Sequence, residues 1–157
     1  FFTAIFASLV IGLFADTIES MVALAVLMPI VASMGGNAGT QSLTVVVRQL
    51  ALGDISQGDA MRIIKKEVLI SLMNGMFFAV IMGMVAAIWF SMGMLGVVIA
   101  LSMIINLLMA GFFGAAIPLF LKKMDVDPAI GSTVILTTVT DVVGFFSFLA
   151  LATYILL

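Results

Sequence analysis

Cysteine and histidine are both missing from this 157-residue chain, which excludes disulfides, thiolate metal sites and imidazole ligands together. Zinc, haem and iron–sulfur chemistry lose their usual donors, and any ion the chain handles must be held mainly by oxygen. Charge is almost as scarce. Charged residues make up 9% of the chain, against about 25% in a soluble domain. Six basic side chains against eight acidic ones leave nothing to neutralise a phosphate backbone, so nucleic-acid binding is excluded. What fills the space is apolar: 64% of residues are hydrophobic and mean hydropathy is +1.39. Such a chain belongs in a bilayer and not on a water-soluble enzyme scaffold. The first residue is Phe and the apolar run begins at once. The chain therefore reads as excised from a longer one with its first span truncated, and it carries no signal-peptide pattern.

A spanning helix needs about 20 mostly apolar residues. Charges at Asp16 and Glu19, from Arg48 to Glu67, and from Lys122 to Asp127 divide the chain into runs that fit. The pattern predicts an all-α integral membrane fold, one transmembrane domain over 1–157, with five helices at about 1–16, 20–47, 62–90, 94–123 and 128–156. Residues 68–121 contain no Asp, Glu, Lys or Arg and turn most plausibly at Ser91-Met92-Gly93-Met94, where small residues interrupt bulky ones. The run 20–47 would make about 42 Å of helix, longer than the roughly 30 Å hydrocarbon core. It must tilt, protrude or break, and the break is offered at Gly35-Gly36-Asn37-Ala38-Gly39-Thr40-Gln41. Asp127-Pro128 reads as the N-cap and first residue of the last helix.

All six basic residues, Arg48, Arg62, Lys65, Lys66, Lys122 and Lys123, fall in the second and fourth connections. The positive-inside rule makes those connections cytoplasmic, with the N-terminus inside, the C-terminus outside, and Asp16 and Glu19 at the outer mouth. Five helices are few to enclose a path and do not divide into a neat inverted repeat. A homodimer with the path on its two-fold axis is the natural completion.

Asp141 is the acid set well inside an apolar span, about 20 Å beyond Pro128, and an ionisable group there is a functional hypothesis by default. Thr133, Thr137, Asp141 and Gly144 follow spacings of four, four and three, which reads as one polar stripe. The bland alternative is a carboxylate that only pins helices, with Asn74 or Asn106 as its partner. The glycine stretch carries two readings of equal weight: irregular backbone facing an ion, or a Gly35/Gly39 helix-contact face. Gly75, Ala79 and Gly83 read as packing. Asp16 and Glu19 read first as a solvated loop pair, with attraction of cations as the sharper alternative. The 13 methionines raise copper(I) through their soft thioethers, but methionine is also an ordinary apolar filler.

Pro29, the run Gly35-Gly36-Asn37-Ala38-Gly39-Thr40-Gln41, then Arg48, Ala51 and Asp54, together with Val126-Asp127-Pro128-Ala129 and Thr140-Asp141-Val142-Val143-Gly144, resemble the signature motifs of the MgtE magnesium channel and transporter family. The likeness runs over essentially the whole chain and extends to the animal solute-carrier relatives. It implies a five-helix homodimer in a cell membrane, most naturally a prokaryotic inner membrane, with a central path for magnesium. By the same resemblance Asp141 binds the ion, while Thr137 and the backbone at Gly144 face it. Thr133, Thr140, Gly35, Gly36, Asn37, Gly39 and Gln41 are expected as pore-lining or gating positions, the 35–41 segment because it lies toward the cytoplasmic end of the second helix. Thr133 departs from the Asn of some members. Family members also carry a cytosolic sensor, an N-terminal domain and a CBS pair, that these 157 residues do not contain.

The chemistry agrees with magnesium. That ion keeps several waters and touches one or two carboxylates, whereas calcium prefers six to eight direct oxygen ligands. The rivals are a carrier of manganese or cobalt using the same acid, and a structural membrane subunit that transports nothing. An intramembrane enzyme ranks last, because cysteine and histidine are absent and Asp141 has no second buried carboxylate to work with.

Overall fold

The computed structural model describes residues 1–53, 55 and 58–157. Asp54, part of the motif after Arg48, lies outside the described residues. Among them every regular element is helical: α1 (Phe2–Leu13), α2 (Ala15–Ser20), α3 (Val22–Leu52), α4 (Ala60–Trp89), α5 (Gly93–Lys123) and α6 (Ser132–Leu156). Four of these, α3 to α6, are long and apolar enough to cross a bilayer. The first expected span is instead two pieces. The backbone leaves the helical region at Phe14 (φ −115°, ψ 26°), and α1 with 12 residues reaches about 18 Å, short of the hydrocarbon core.

α5 is the hub. It packs against α3, α4 and α6, and its buried face includes Leu95, Val98, Ile99, Met103, Asn106, Leu107, Ala110 and Gly114. The α4–α5 seam is set by small residues every fourth position, which bring two backbones close enough for dispersion contacts in a medium where lipid offers no hydrophobic drive. A Cβ on Gly83 would stand 3.0 Å from the Gly96 carbonyl, and one on Gly75 would stand 3.5 Å from Ile104 Cα. The ladder continues past the expected three positions, because Glu67, Ser71, Gly75, Ala79, Gly83 and Ala86 are the buried residues of α4. Its outer face, with Met73, Phe77, Val80, Met84, Ile88 and Trp89, is exposed.

Two sequence expectations are overturned here. α3 does not break at 35–41. It runs through Pro29 and all three glycines for 31 residues, about 46 Å, because Gly35 and Gly39 are used as notches for neighbouring helices and their backbone groups stay in the helical ladder. The last helix begins at Ser132, not Pro128. Asp127 Oδ1 accepts the Ala129 N–H at 2.9 Å, the Ile130 N–H closes on the Asp127 carbonyl at 3.0 Å, and Gly131 takes a left-handed φ of 77°. The segment therefore makes a turn, and the Ser132 hydroxyl bonds back to the Pro128 carbonyl. The expected turn between α4 and α5 is present, with Ser91 at φ 52°.

Candidate functional site

The site is built where α3, α5 and α6 cross. On α6 the buried residues Ser132, Leu136, Thr140 and Gly144 recur every fourth position, so one stripe of the helix is turned inward. Leu136 meets Gly39, whose added Cβ would stand 3.0 Å from Leu136 Cδ1. One turn on, Gly36 faces Thr140, with 4.0 Å between the position of its absent Cβ and the Thr140 hydroxyl. One turn further, Gly144 faces Asn106 of α5, and a Cβ there would stand 2.7 Å from Asn106 Nδ2. Gly35 faces the same asparagine from α3. α5 enters the seam from the far side: a Cβ on Gly114 would stand 2.7 Å from the Gly39 carbonyl oxygen.

Asp141 adjoins this stripe. It follows Ser132 by nine positions, about 14 Å along the helix, so with the later helix start it sits nearer the α6 N-terminus than the sequence suggested. Its side chain is half-buried, and the carboxylate has no hydrogen-bond partner among the described residues. Thr137 lies one turn before it and is half-buried, while Thr133 is exposed. The expected stripe of four is thus divided. Thr133, Thr137 and Asp141 hold one side, but Gly144 belongs to the packed stripe with Leu136 and Thr140.

Three threonine hydroxyls of α3 and α6 are already donors within their own helices. Thr137 Oγ1 donates to the Thr133 carbonyl at 3.0 Å, Thr140 Oγ1 to the Thr137 carbonyl at 3.2 Å, and Thr40 Oγ1 to the Gly36 carbonyl at 2.8 Å. Each hydroxyl is left with lone pairs and no free hydrogen.

The other singled-out residues are dispersed. Asn37 and Gln41 are exposed on α3, and Asp16 and Glu19 are exposed on α2. Neither asparagine proposed as a partner for Asp141 serves it: Asn74 is exposed on α4, and Asn106 donates to the Val31 carbonyl at 2.8 Å. Glu67 was missed. It is 5% exposed, more buried than Asp141, which corrects the expectation of no second buried carboxylate. It lies on the α4 seam facing α5, where its backbone carbonyl would stand 2.9 Å from a Cβ on Gly111. Its signal was the four-residue spacing Glu67, Ser71, Gly75 read backwards along the ladder. Among the described residues no three acidic side chains cluster as a metal cage, and Asp141 is the acid that adjoins the α3–α6 crossing.

Comparison with known proteins identifies the family. A family model described as MgtE, divalent cation transporter, matches residues 28–151, from the residue before Pro29 through α6 past Gly144. The chain is 36% identical over 152 residues to the magnesium transporter MgtE of Bacillus subtilis, covering 97% of this chain and 34% of that protein. It is 31% identical over 155 residues to the magnesium transporter MgtE of Thermus thermophilus, with 98% and 34% covered. For the magnesium transporter MgtE of Enterococcus faecalis the values are 36% over 118 residues, with 75% and 26% covered. The chain thus spans about a third of the length of the curated relatives it matches. With the family match running through four membrane-length helices and the motifs of both α3 and α6, this multi-pass membrane chain belongs to the MgtE family of divalent cation transporters.

Proposed function

We propose that this chain is the membrane-embedded part of a magnesium transporter, and that hydrated Mg2+ passes along the two-fold axis between two copies of it. The observation that carries the reading is Asp141: a carboxylate inside α6, half-buried in the single chain, without a hydrogen-bond partner among the described residues, one turn beyond Thr137, whose hydroxyl hydrogen is already engaged by the Thr133 carbonyl. A lone acid at that depth costs about 2.5–3.5 kcal/mol on insertion scales unless water, a cation or protein surrounds it. A second copy supplies the remedy. Asp141 and Val134 are seven positions apart and so lie on one side of α6, and Val134 is exposed in the single chain. Pairing that side across a two-fold axis removes it from lipid and brings two carboxylates toward one divalent ion.

Two carboxylates and a ring of acceptors suit an ion that keeps its water. Mg2+ dehydrates reluctantly and is commonly held through one or two carboxylates with waters between. A hydrated ion held this way binds well enough to enter and loosely enough to leave. Manganese and cobalt accept the same oxygens, and the competition assay below separates them.

Orientation follows from the basic residues. Lys122 and Lys123 at the end of α5 share a cavity lining with Leu50 and Gly53 at the end of α3 and Ala60 at the start of α4, so the basic connections gather at one end. That end is cytoplasmic by the positive-inside rule, α1 and α2 make the first of five crossings, and α2 carries Asp16 and Glu19 at the outer mouth. The greater length of the relatives leaves room for cytosolic regulatory domains in a longer chain. The membrane is then the cytoplasmic membrane of a bacterium.

The test is uptake into proteoliposomes loaded with a magnesium-sensitive dye, with manganese, cobalt and calcium as competitors. The unaltered protein should carry Mg2+, and Asp141→Asn, which keeps size and drops charge, should lose it. Undiminished uptake by Asp141→Asn would remove the carboxylate from the mechanism.

A further inference from the structure

Asn106 is a fully buried polar side chain at the helix crossing, and the transport reading makes no use of it. It is 0% exposed and stands on α5 between two glycines of other helices, Gly35 on α3 and Gly144 on α6. Both glycines are needed for it. A Cβ on Gly144 would stand 2.7 Å from its Nδ2, and one on Gly35 would overlap the amide outright. The amide has one possible orientation. Val31 carbonyl oxygen, 2.8 Å from Nδ2, can only accept, so the amino group must face it and Oδ1 must point away. That Oδ1 is buried and has no partner.

A buried carbonyl without a donor is rare in folded proteins, and each instance calls for a reason. Packing alone does not supply one, because a leucine would fill similar space without an orphaned oxygen. Location does. Gly144 lies three residues beyond Asp141 on the same helix, less than one turn. Gly35 precedes Gly36, whose missing side chain leaves room for Thr140, and Thr140 precedes Asp141. The amide therefore touches the immediate surroundings of the carboxylate from both α3 and α6. Its depth in the notch sets how far α6 stands from α3, and the hydrogen bond to Val31 fixes that depth.

We propose that Asn106 is a positioning residue for the cation path: wedged between Gly35 and Gly144 and tied to the Val31 carbonyl, it holds α6 in the placement that presents Asp141 to the ion. This rests on the transport reading above and adds a residue to it. Asn106 acts through α6, and touches no ion itself.

The experiment uses the full chain in proteoliposomes, with Mg2+ and Co2+ concentration series and thermal unfolding measured on the same preparations. Asn106→Leu keeps bulk and removes the tie. It should melt no lower than the unaltered chain, because the orphaned oxygen goes with the amide, yet its half-saturating Mg2+ concentration should shift about fivefold or more relative to that for Co2+. Should Asn106→Leu melt lower, the ratio of the two half-saturating concentrations decides, since a loss of folded protein lowers both uptakes without changing that ratio. An unchanged ratio in Asn106→Leu would overturn the assignment of Asn106 and leave transport standing. Absence of Mg2+ uptake by the unaltered chain would overturn the transport reading and this assignment together.

Discussion

Replacing Gly114 by alanine should destabilise this bundle more than any other single methyl added at the α3–α5–α6 crossing outside the asparagine notch. The added carbon would stand 2.7 Å from the Gly39 carbonyl oxygen and 2.9 Å from Ser42 Cβ, whereas ordinary contact begins at 3.4 Å. The first of those neighbours is backbone and cannot rotate away, so α3 and α5 must part by about 0.7 Å, far enough to forfeit a quarter to a half of each dispersion contact along the seam. Overpacking of this kind costs about 1–3 kcal/mol, offset by about 1 kcal/mol from the better helix propensity of alanine. Gly39→Ala is the paired comparison. Its Cβ would meet Leu136 Cδ1 at 3.0 Å and Cδ2 at 3.1 Å, the end of a flexible side chain that can change rotamer, so overpacking and propensity nearly cancel there. Gly12, with nothing within 4 Å of its added carbon, is the open-space control and gains only the propensity. Thermal unfolding in one detergent should therefore rank Gly12→Ala at or above the unaltered chain, Gly39→Ala close to it, and Gly114→Ala clearly below. Should Gly114→Ala melt with the unaltered chain while Gly39→Ala falls, the seam geometry argued above is wrong.

Other perturbations follow from the same geometry. Gly36→Ala should be accepted, since its Cβ would reach Thr140 Oγ1 at 4.0 Å, but Gly36→Leu should displace Thr140 and cut Mg2+ uptake severely, as dye-loaded vesicles would register. In a chain free of cysteine, Val134→Cys should cross-link between copies on mild oxidation and Trp89→Cys, on the outer face of α4, should not; cross-linking at Trp89 alone would place the dimer contact elsewhere. Asp127→Ala frees the Ala129 N–H at an exposed turn and should cost no more than about 1 kcal/mol in denaturant titration, the scale of a lost cap.

The long helices were legible in the sequence because length and apolarity are sufficient criteria in a bilayer, and the turn at Ser91 to Gly93 stood out against bulky flanks. The glycine run in α3 was ambiguous for a physical reason: glycine both permits irregular backbone and vacates volume. Which use applies depends on what arrives from another helix. Here the arrivals are Asn106, Leu136 and Gly114, none of which a single segment reveals. Asp127-Pro128 carried a sound helix-start pattern, yet Gly131 four residues on could take the left-handed turn that postponed the start. Asp141 was found because its charge is anomalous where it stands. Glu67 was overlooked because nearby lysines made it look like part of a solvated connection, although its four-residue register with Ser71 and Gly75 placed it on the buried seam.

The short arm at the N-terminus matters for how α6 can move. Thr3 Oγ1 lies 2.8 Å from Thr138 Oγ1, Thr17 Oγ1 lies 2.9 Å from Thr153 Oγ1, and between them the rings of Phe14 and Phe146 meet edge to face at 5.8 Å. These three fastenings span α6 from just before Asp141 almost to its end. A helix gripped at three levels along one flank cannot spin about its own axis without carrying its splint, so α1, α2 and α6 travel as one body. The opposite flank is held differently, by Leu136 on Gly39, Thr140 on Gly36 and Gly144 on Asn106, so one side of α6 is tied by hydroxyls and rings and the other is keyed into notches.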